Sequence, residues 1–177
     1  MKPLCLALLL LMPAALLAQD ASLAVRIKTI EDREEIQRVL LNYGRFLDAR
    51  QFANYGALFA KDGEWIGGFG TVKTPKAIQE FMEKAIGTGR PTSATYHLLT
   101  NFMIDVKGDE ATVWSRWGFV TVAAGTSGDS AKPNIAQGGH YEDKLVREDG
   151  KWKFKQRIAF ADIPHNDPTE KVPAQKK

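Results

Sequence analysis

From Ile30 onward the apolar positions first recur every three or four residues, at Ile30, Ile36, Val39, Leu40, Tyr43, Phe46 and Leu47. That period predicts an amphipathic helix over 30–49, with Thr29 and Asp32 placed for a capping-box-like start and Glu31, Glu34 and Glu35 near the positive end of its dipole. Phe52, Tyr55, Leu58 and Phe59 keep helical spacing after a break near Arg50 and predict a second, short helix. Asp62-Gly63 marks a turn, and Glu64 to Ile66 a brief strand ending in Gly67, Gly68 and Gly70. Thr74-Pro75 opens another helix, because proline at the first helical position gives up a donor that has no partner there. Ile78, Phe81, Met82, Ala85 and Ile86 form its buried stripe, and Gly87 and Gly89 stop it.

From Thr95 the period becomes two. Residues 95–106, 110–123, 138–147 and 152–161 predict four long strands. Lys107-Gly108-Asp109 and Glu148-Asp149-Gly150 read as tight turns, which makes the first pair and the last pair antiparallel. Residues 125–134, rich in Gly and Ser, read as a mobile loop, and 125–137 is a candidate lid. Residues 163–177 are poor in apolar side chains and rich in proline, and read as an extended or disordered tail. Helices followed by strands make an α+β domain, here a curved antiparallel sheet wrapped around N-terminal helices, with room between them for a small molecule.

Ahead of this domain lies MKPLCLALLLLMPAALLA, in which Lys2 supplies a positive start and Leu4 to Leu11 an apolar run. Residues 1–18 therefore read as a signal peptide cleaved after Ala18, with residues 19–162 as a single domain and a periplasmic or secreted product. The apolar run to Ala18 is 15 residues long and holds Pro13, whereas a bilayer span takes about 20 residues, so no stable membrane insertion is expected. Cys5, the only cysteine, lies inside this leader. The processed chain then has no thiol for a disulfide, a nucleophile or a thiolate metal site. The net charge of +3 drops by one without Lys2, and the basic residues are dispersed among acidic ones, which argues against nucleic acid as a partner.

The chemistry rests on two strand histidines. Strict alternation places His97, Leu99, Asn101 and Met103 on one face of their strand, and His140 with Glu142 and Lys144 on one face of theirs. Imidazole titrates at about pH 6.5, so a carboxylate partner can set such a ring as acid or base near neutrality. Asp48, at the end of the first long helix, is the candidate partner. Tyr43, Tyr55 and Trp65 are candidates to line the pocket and orient an oxygenated ligand. Asn101 can offer its amide to a ligand oxygen, and Arg116, in a central strand, can reach a ligand or pair with Glu110 or Asp143. His165 in the tail reads as surface. Asp48, His97 and His140 are metal-compatible donors, but no metal-binding spacing is present and neither a metal nor a cofactor is expected. Gly67, Gly68 and Gly70 lack the spacing and the lysine of a phosphate loop.

The segments "IQRVLLNYGRFLDARQFANYGALFAKDGEW", "TPKAIQEFM", "HLLTNFMIDVKGDEATVWSRW" and "GGHYEDKLVREDGKWKFKQRIAF", in that order, resemble the SnoaL-like branch of the nuclear transport factor 2-like superfamily. The resemblance covers 30–160 and implies a cone-shaped curved sheet around the helices. Within the superfamily the pattern is most similar to the scytalone dehydratases, whose helix aspartate and two histidines would fall on Asp48, His97 and His140. By that resemblance His140, steered by Asp48, would be base or acid, and His97 and Asn101 would bind or protonate the substrate oxygen. Leu47 stands where those enzymes have a tyrosine. The resemblance implies a cofactor-independent lyase or isomerase for a small cyclic oxygenated compound. A binding or accessory protein with the same pocket and no turnover is the alternative. In either case a homodimer through the outer surface of the sheet is expected.

Overall fold

The computed structural model describes residues 8–89, 95–122 and 132–163, with side chains from residue 22 onward. The elements, in order, are α1 (Leu8–Asp48), α2 (Phe52–Gly56), β1 (Phe59–Gly67), β2 (Gly70–Lys73), α3 (Pro75–Ile86), β3 (Thr95–Lys107), β4 (Glu110–Val122), β5 (Pro133–Glu148) and β6 (Lys151–Ile163). The chain divides into two units after Glu35.

In the first unit the helix runs through the expected start at Thr29. The Thr29 hydroxyl donates to the Val25 carbonyl at 2.9 Å, and Asp32 pairs with Lys28 one turn back. Both side chains are thus spent inside a continuing helix, which is why no cap forms there. Among the described residues no helix is long and apolar enough to cross a membrane.

The second unit is an α+β domain built on one open six-stranded sheet, ordered β2-β1-β6-β5-β4-β3. The four long strands pair antiparallel as their turns require. Lys107 faces Glu110 and Glu148 faces Lys151 across two-residue loops, and Asp149 and Gly150 both adopt positive φ, 52° and 74°, as a type I′ turn demands. The sheet is mixed rather than wholly antiparallel, because β1 runs parallel to β6. Phe59 belongs to β1 and not to the short helix, which ends at Gly56. β1 starts at Phe59, ahead of the brief strand expected from Glu64, and is followed by the unexpected β2, whose four residues are exposed or half-buried and carry no apolar alternation. β5 begins at Pro133, so the second half of the expected loop is strand. The first half of that candidate lid, 125–131, and the tail beyond 163 lie outside the described residues.

Strand β3 holds a further correction. Asn101 has φ 55° and interrupts the pairing with β4 between Thr100 and Met103. This bulge inserts one residue and reverses the facing of the rest of the strand. Leu99, ahead of the bulge, packs on the core as alternation with His97 expects, and beyond it Phe102, Ile104 and Val106 join the core while Asn101 and Met103 turn to the exposed side.

The core centres on Ile36, Leu40, Tyr43 and Leu47 of α1, packed with Phe59, Tyr141, Leu145 and Phe154. A fully buried ion pair lies among them. Arg157 donates from Nε and Nη2 to the two carboxylate oxygens of Asp143, each at 2.7 Å. Its guanidinium lies 4.0 Å from the ring centroids of Tyr43 and Tyr141 and 4.3 Å from that of Phe154. Burial acts to lower the Arg157 pKa, but the Asp143 carboxylate outweighs it and the net direction is upward.

Tyr55, expected beside a ligand, is instead wholly buried in this core, with no partner in hydrogen-bonding geometry for its hydroxyl. Burial, followed by the neighbouring Tyr43 phenol, pushes its pKa well above the usual tyrosine value. Burial does the same for Tyr141. A pKa raised by folding gives stability that is complete below the unfolded value, about pH 10, and is lost as the pH rises past it. Tyr55→Phe is therefore expected to be at least as stable as the parent at pH 7, because it deletes an unsatisfied buried hydroxyl. It should also lose stability less steeply above about pH 10. Urea denaturation at pH 7 and in steps above pH 10 checks both.

Candidate active site

The site starts at the end of α1. Asp48 closes the helix at the negative end of its dipole, a position that disfavours a carboxylate by roughly 0.3–1 kcal/mol. Two donors from one residue of β3 compensate. The His97 backbone N–H donates to Asp48 Oδ2 at 2.8 Å, and His97 Nδ1 lies 2.6 Å from Oδ1. Gly44, one turn earlier, allows this approach. A Cβ there would stand 2.9 Å from Leu99 Cδ1 and 3.1 Å from His97 Cβ, so the leucine tip and the histidine would both have to give way.

A carboxylate only accepts, so the contact keeps the proton of neutral His97 on Nδ1 and leaves Nε2 with its lone pair. Among the described residues Nε2 has no hydrogen-bond partner. His97 and Asp48 both line a cavity of about 810 Å³, a size suited to a small organic ligand. Its walls come from Trp65, Phe69, Phe81 and Met82 on one side and Trp117, Phe119 and Tyr141 on the other. Tyr43 also lines it, with its hydroxyl accepting a bond from Trp65 Nε1 at 3.0 Å. The polar part of the lining comes from the His97–Asp48 pair, the two tyrosines, Gln137, Thr95 and Arg50. Among the described residues no cluster of side chains could hold a metal ion.

Of the residues expected here, Asp48, His97, Tyr43 and Trp65 converge on the cavity. The others do not. His140 faces the opposite side of the sheet, where its Nδ1 meets both oxygens of Asp162 at 3.0 and 2.9 Å and its ring stacks on Phe160 at 4.4 Å. The partner of Asp48 is accordingly His97, not His140. Arg116 is on the same outer side, 3.8 Å from Asp162 and over the Trp114 ring. Asn101 is exposed at the bulge, and Tyr55 is in the core.

Alternation carried a signal for the missed residues. Glu142 and Lys144 share the face of His140 and want water, so Tyr141 and Leu145 must be the inward phase. Asp143 disguises that phase, because its charge is cancelled internally by Arg157. Trp117 and Phe119 follow the inward phase of β4. The Trp117 indole N–H crosses Gly139 to donate to the Phe160 carbonyl at 3.0 Å. At Gly139 a Cβ would fall 1.9 Å from that same oxygen, so only glycine permits the crossing. Arg50, at the expected break after the helix, lines the cavity as well.

Residues 28–158 match the model of the SnoaL-like domain. No curated protein matches the chain. Several solved structures share its fold. An NTF2-like protein with a cystatin-like fold from Novosphingobium aromaticivorans is 24% identical, with a TM-score of 0.67 over 78% of this chain and 86% of its own. A protein provisionally named scytalone dehydratase, from the same organism, is 27% identical with a TM-score of 0.61, covering 75% and 85%. LinA is 20% identical with a TM-score of 0.63, covering 77% and 89%.

Proposed function

The chain belongs to the SnoaL-like domain family, and from that premise we propose that it is an exported, cofactor-independent acid-base catalyst, an isomerase or dehydratase-like lyase for a small cyclic oxygenated molecule. The observation that carries this reading is the 2.6 Å contact of Asp48 with His97 at the wall of the cavity. With its Nδ1 proton held by Asp48, His97 takes a proton through Nε2 from a carbon next to a substrate carbonyl. Asp48 stabilises the imidazolium that forms. The same proton then returns to a different carbon, which completes an isomerisation, or goes to a departing hydroxyl, which leaves as water. Tyr43 and Tyr141 line the same space, and the Tyr141 phenol stays protonated near neutral pH. It is thus suited to donate to the carbonyl oxygen on which charge develops. Similarity to the provisionally named scytalone dehydratase supports the lyase form.

The absence of His140 from the cavity favours a second reading, ligand binding without turnover, and one measurement separates the two. Proton–deuterium exchange at the carbon beside the carbonyl is followed by NMR in D₂O across a panel of one- to three-ring ketones and hydroxyketones. Turnover should fall by about 10²–10⁴-fold in His97→Asn and substantially in Asp48→Asn, while binding persists and His140→Asn keeps its activity. No exchange above background with any compound that binds the parent would leave the binding reading in place.

The homodimer is proposed through the face opposite the cavity. Leu98 and Ile135 flank Gly118 there, and Ile163 lies against Gly138. Tyr96, Met103 and Phe160 are further exposed apolar side chains, and exposed apolar groups gathered on one face favour association. Sedimentation at tens of micromolar should give twice the chain mass, and Leu98→Glu should give the monomer. A monomeric parent at that concentration rejects the dimer.

Export is proposed from Lys2 and the apolar run of Leu4 to Leu11. Intact mass of the product recovered outside the cytoplasm should correspond to a chain starting at Gln19, and retention of the full-length chain in the cytoplasm rejects it.

A further inference from the structure

The end of α1 delivers a second charged group to the cavity. Gln51 N–H donates to the Phe46 carbonyl at 2.8 Å and Arg50 N–H to the Leu47 carbonyl at 3.1 Å. Together these bonds form a Schellman motif with Arg50 at its left-handed position. The φ of Arg50 is 59°, a conformation that glycine adopts freely and side chains with a Cβ resist. A residue held in strained backbone at the wall of a cavity motivates a functional reading.

The guanidinium itself is underused. Its Nη1 donates to the Leu47 carbonyl at 3.2 Å, while Nε is buried without a partner. Among the described residues no carboxylate pairs with Arg50. Asp48, the nearest acid in sequence, has both oxygens engaged by His97. A guanidinium presents a rigid fork of five donors that matches an anionic oxygen pair. Here Nη2 has no partner among the described residues, Nε is buried and unsatisfied, and the side chain lines a cavity with largely aromatic walls.

Resting on the reading of this cavity as a substrate site, the geometry points to Arg50 as the residue that binds an anionic oxygen group, and so to a ring compound bearing a carboxylate as the ligand class. The apolar walls take the ring, Arg50 takes the carboxylate, and the ring carbons are left within the cavity that His97 also lines. Arg50 is in this role a specificity residue. Proton transfer remains with His97.

Two probes of nearly equal shape isolate the charge: 2-naphthoate and the neutral 2-naphthamide, titrated against the full chain and followed by the fluorescence of Trp65 and Trp117. The parent should bind naphthoate at least tenfold more tightly than the amide, and the advantage should shrink as salt is raised. Arg50→Gln should lose about tenfold in naphthoate affinity with amide affinity unchanged, and Arg50→Lys should recover part of the loss. Arg50→Gly should show the same loss in a protein that melts no lower than the parent, which excludes misfolding as the cause. His97→Asn should retain naphthoate binding. Loss of catalysis as the proposed function therefore leaves this inference standing, and the reverse also holds. Equal affinity of the parent for the two probes, no naphthoate binding up to millimolar concentration, or unchanged naphthoate binding in Arg50→Gln would overturn it.

Discussion

The close approach of α1 to β3 is the constraint on which the site depends. A helix and a sheet normally stand apart by the length of the side chains between them. Here the absence of a side chain at Gly44 lets the last turns of the helix settle close to Leu99 and His97, and at that spacing the short Asp48 side chain reaches both the backbone and the ring of His97. The arrangement is rigid for the same reason. One carboxylate holds two donors of one residue, so the ring cannot turn about its own bonds without breaking the contact that sets its proton. Preorganisation of this kind is what lets a weak base act in a small cavity without reorganising at the moment of reaction.

Beneath the cavity the domain supports its floor with a charged group in place of hydrocarbon. Tyr43 and Tyr141 both line the cavity and both pack against Arg157. The cation would be prohibitively costly alone, and Asp143 makes it tolerable by matching it with two short bonds. Such a pair adds little net stability over a hydrocarbon of the same shape. What it supplies is fixed geometry, since the guanidinium plane determines where two phenol rings sit.

The elements whose stability comes from local pattern were legible in the sequence. The heptad-like stripe of Ile36, Leu40, Tyr43 and Leu47, the Thr74-Pro75 helix entrance and the two hairpin turns all appear where the pattern placed them, because each is decided by neighbours along the chain. The parallel pairing of β1 with β6 is decided by contacts across almost a hundred residues of chain, and no local period reports it, while the small edge strand β2 pairs with its neighbour β1 but carries no apolar alternation to announce it. The bulge at Asn101 is an intermediate case. Asparagine tolerates left-handed backbone better than most residues, yet nothing in simple alternation says that a strand will change phase there. One inserted residue sent Asn101 and Met103 outward and brought Phe102 and Ile104 in.

The histidines show why residue type identifies chemistry before it identifies location. Both lie in strands and both pair with an aspartate, so as isolated dyads they are alike: His97 with Asp48 and His140 with Asp162. The sheet separates them, because a strand offers successive side chains to opposite faces and the phase of β5 commits Tyr141 inward. The face towards α1 has a cavity, and His97, whose Nε2 has no partner among the described residues, lines it. On the other face His140 is pressed between aromatic rings, where it serves packing. The outcome for the cavity is an economy of charge concentrated at a single helix end. Asp48 and Arg50 are two residues apart, the first engaged at both oxygens by His97 and the second without a carboxylate partner among the described residues, and on the proposed reading this asymmetry gives the site one group that sets a base and another that meets a ligand.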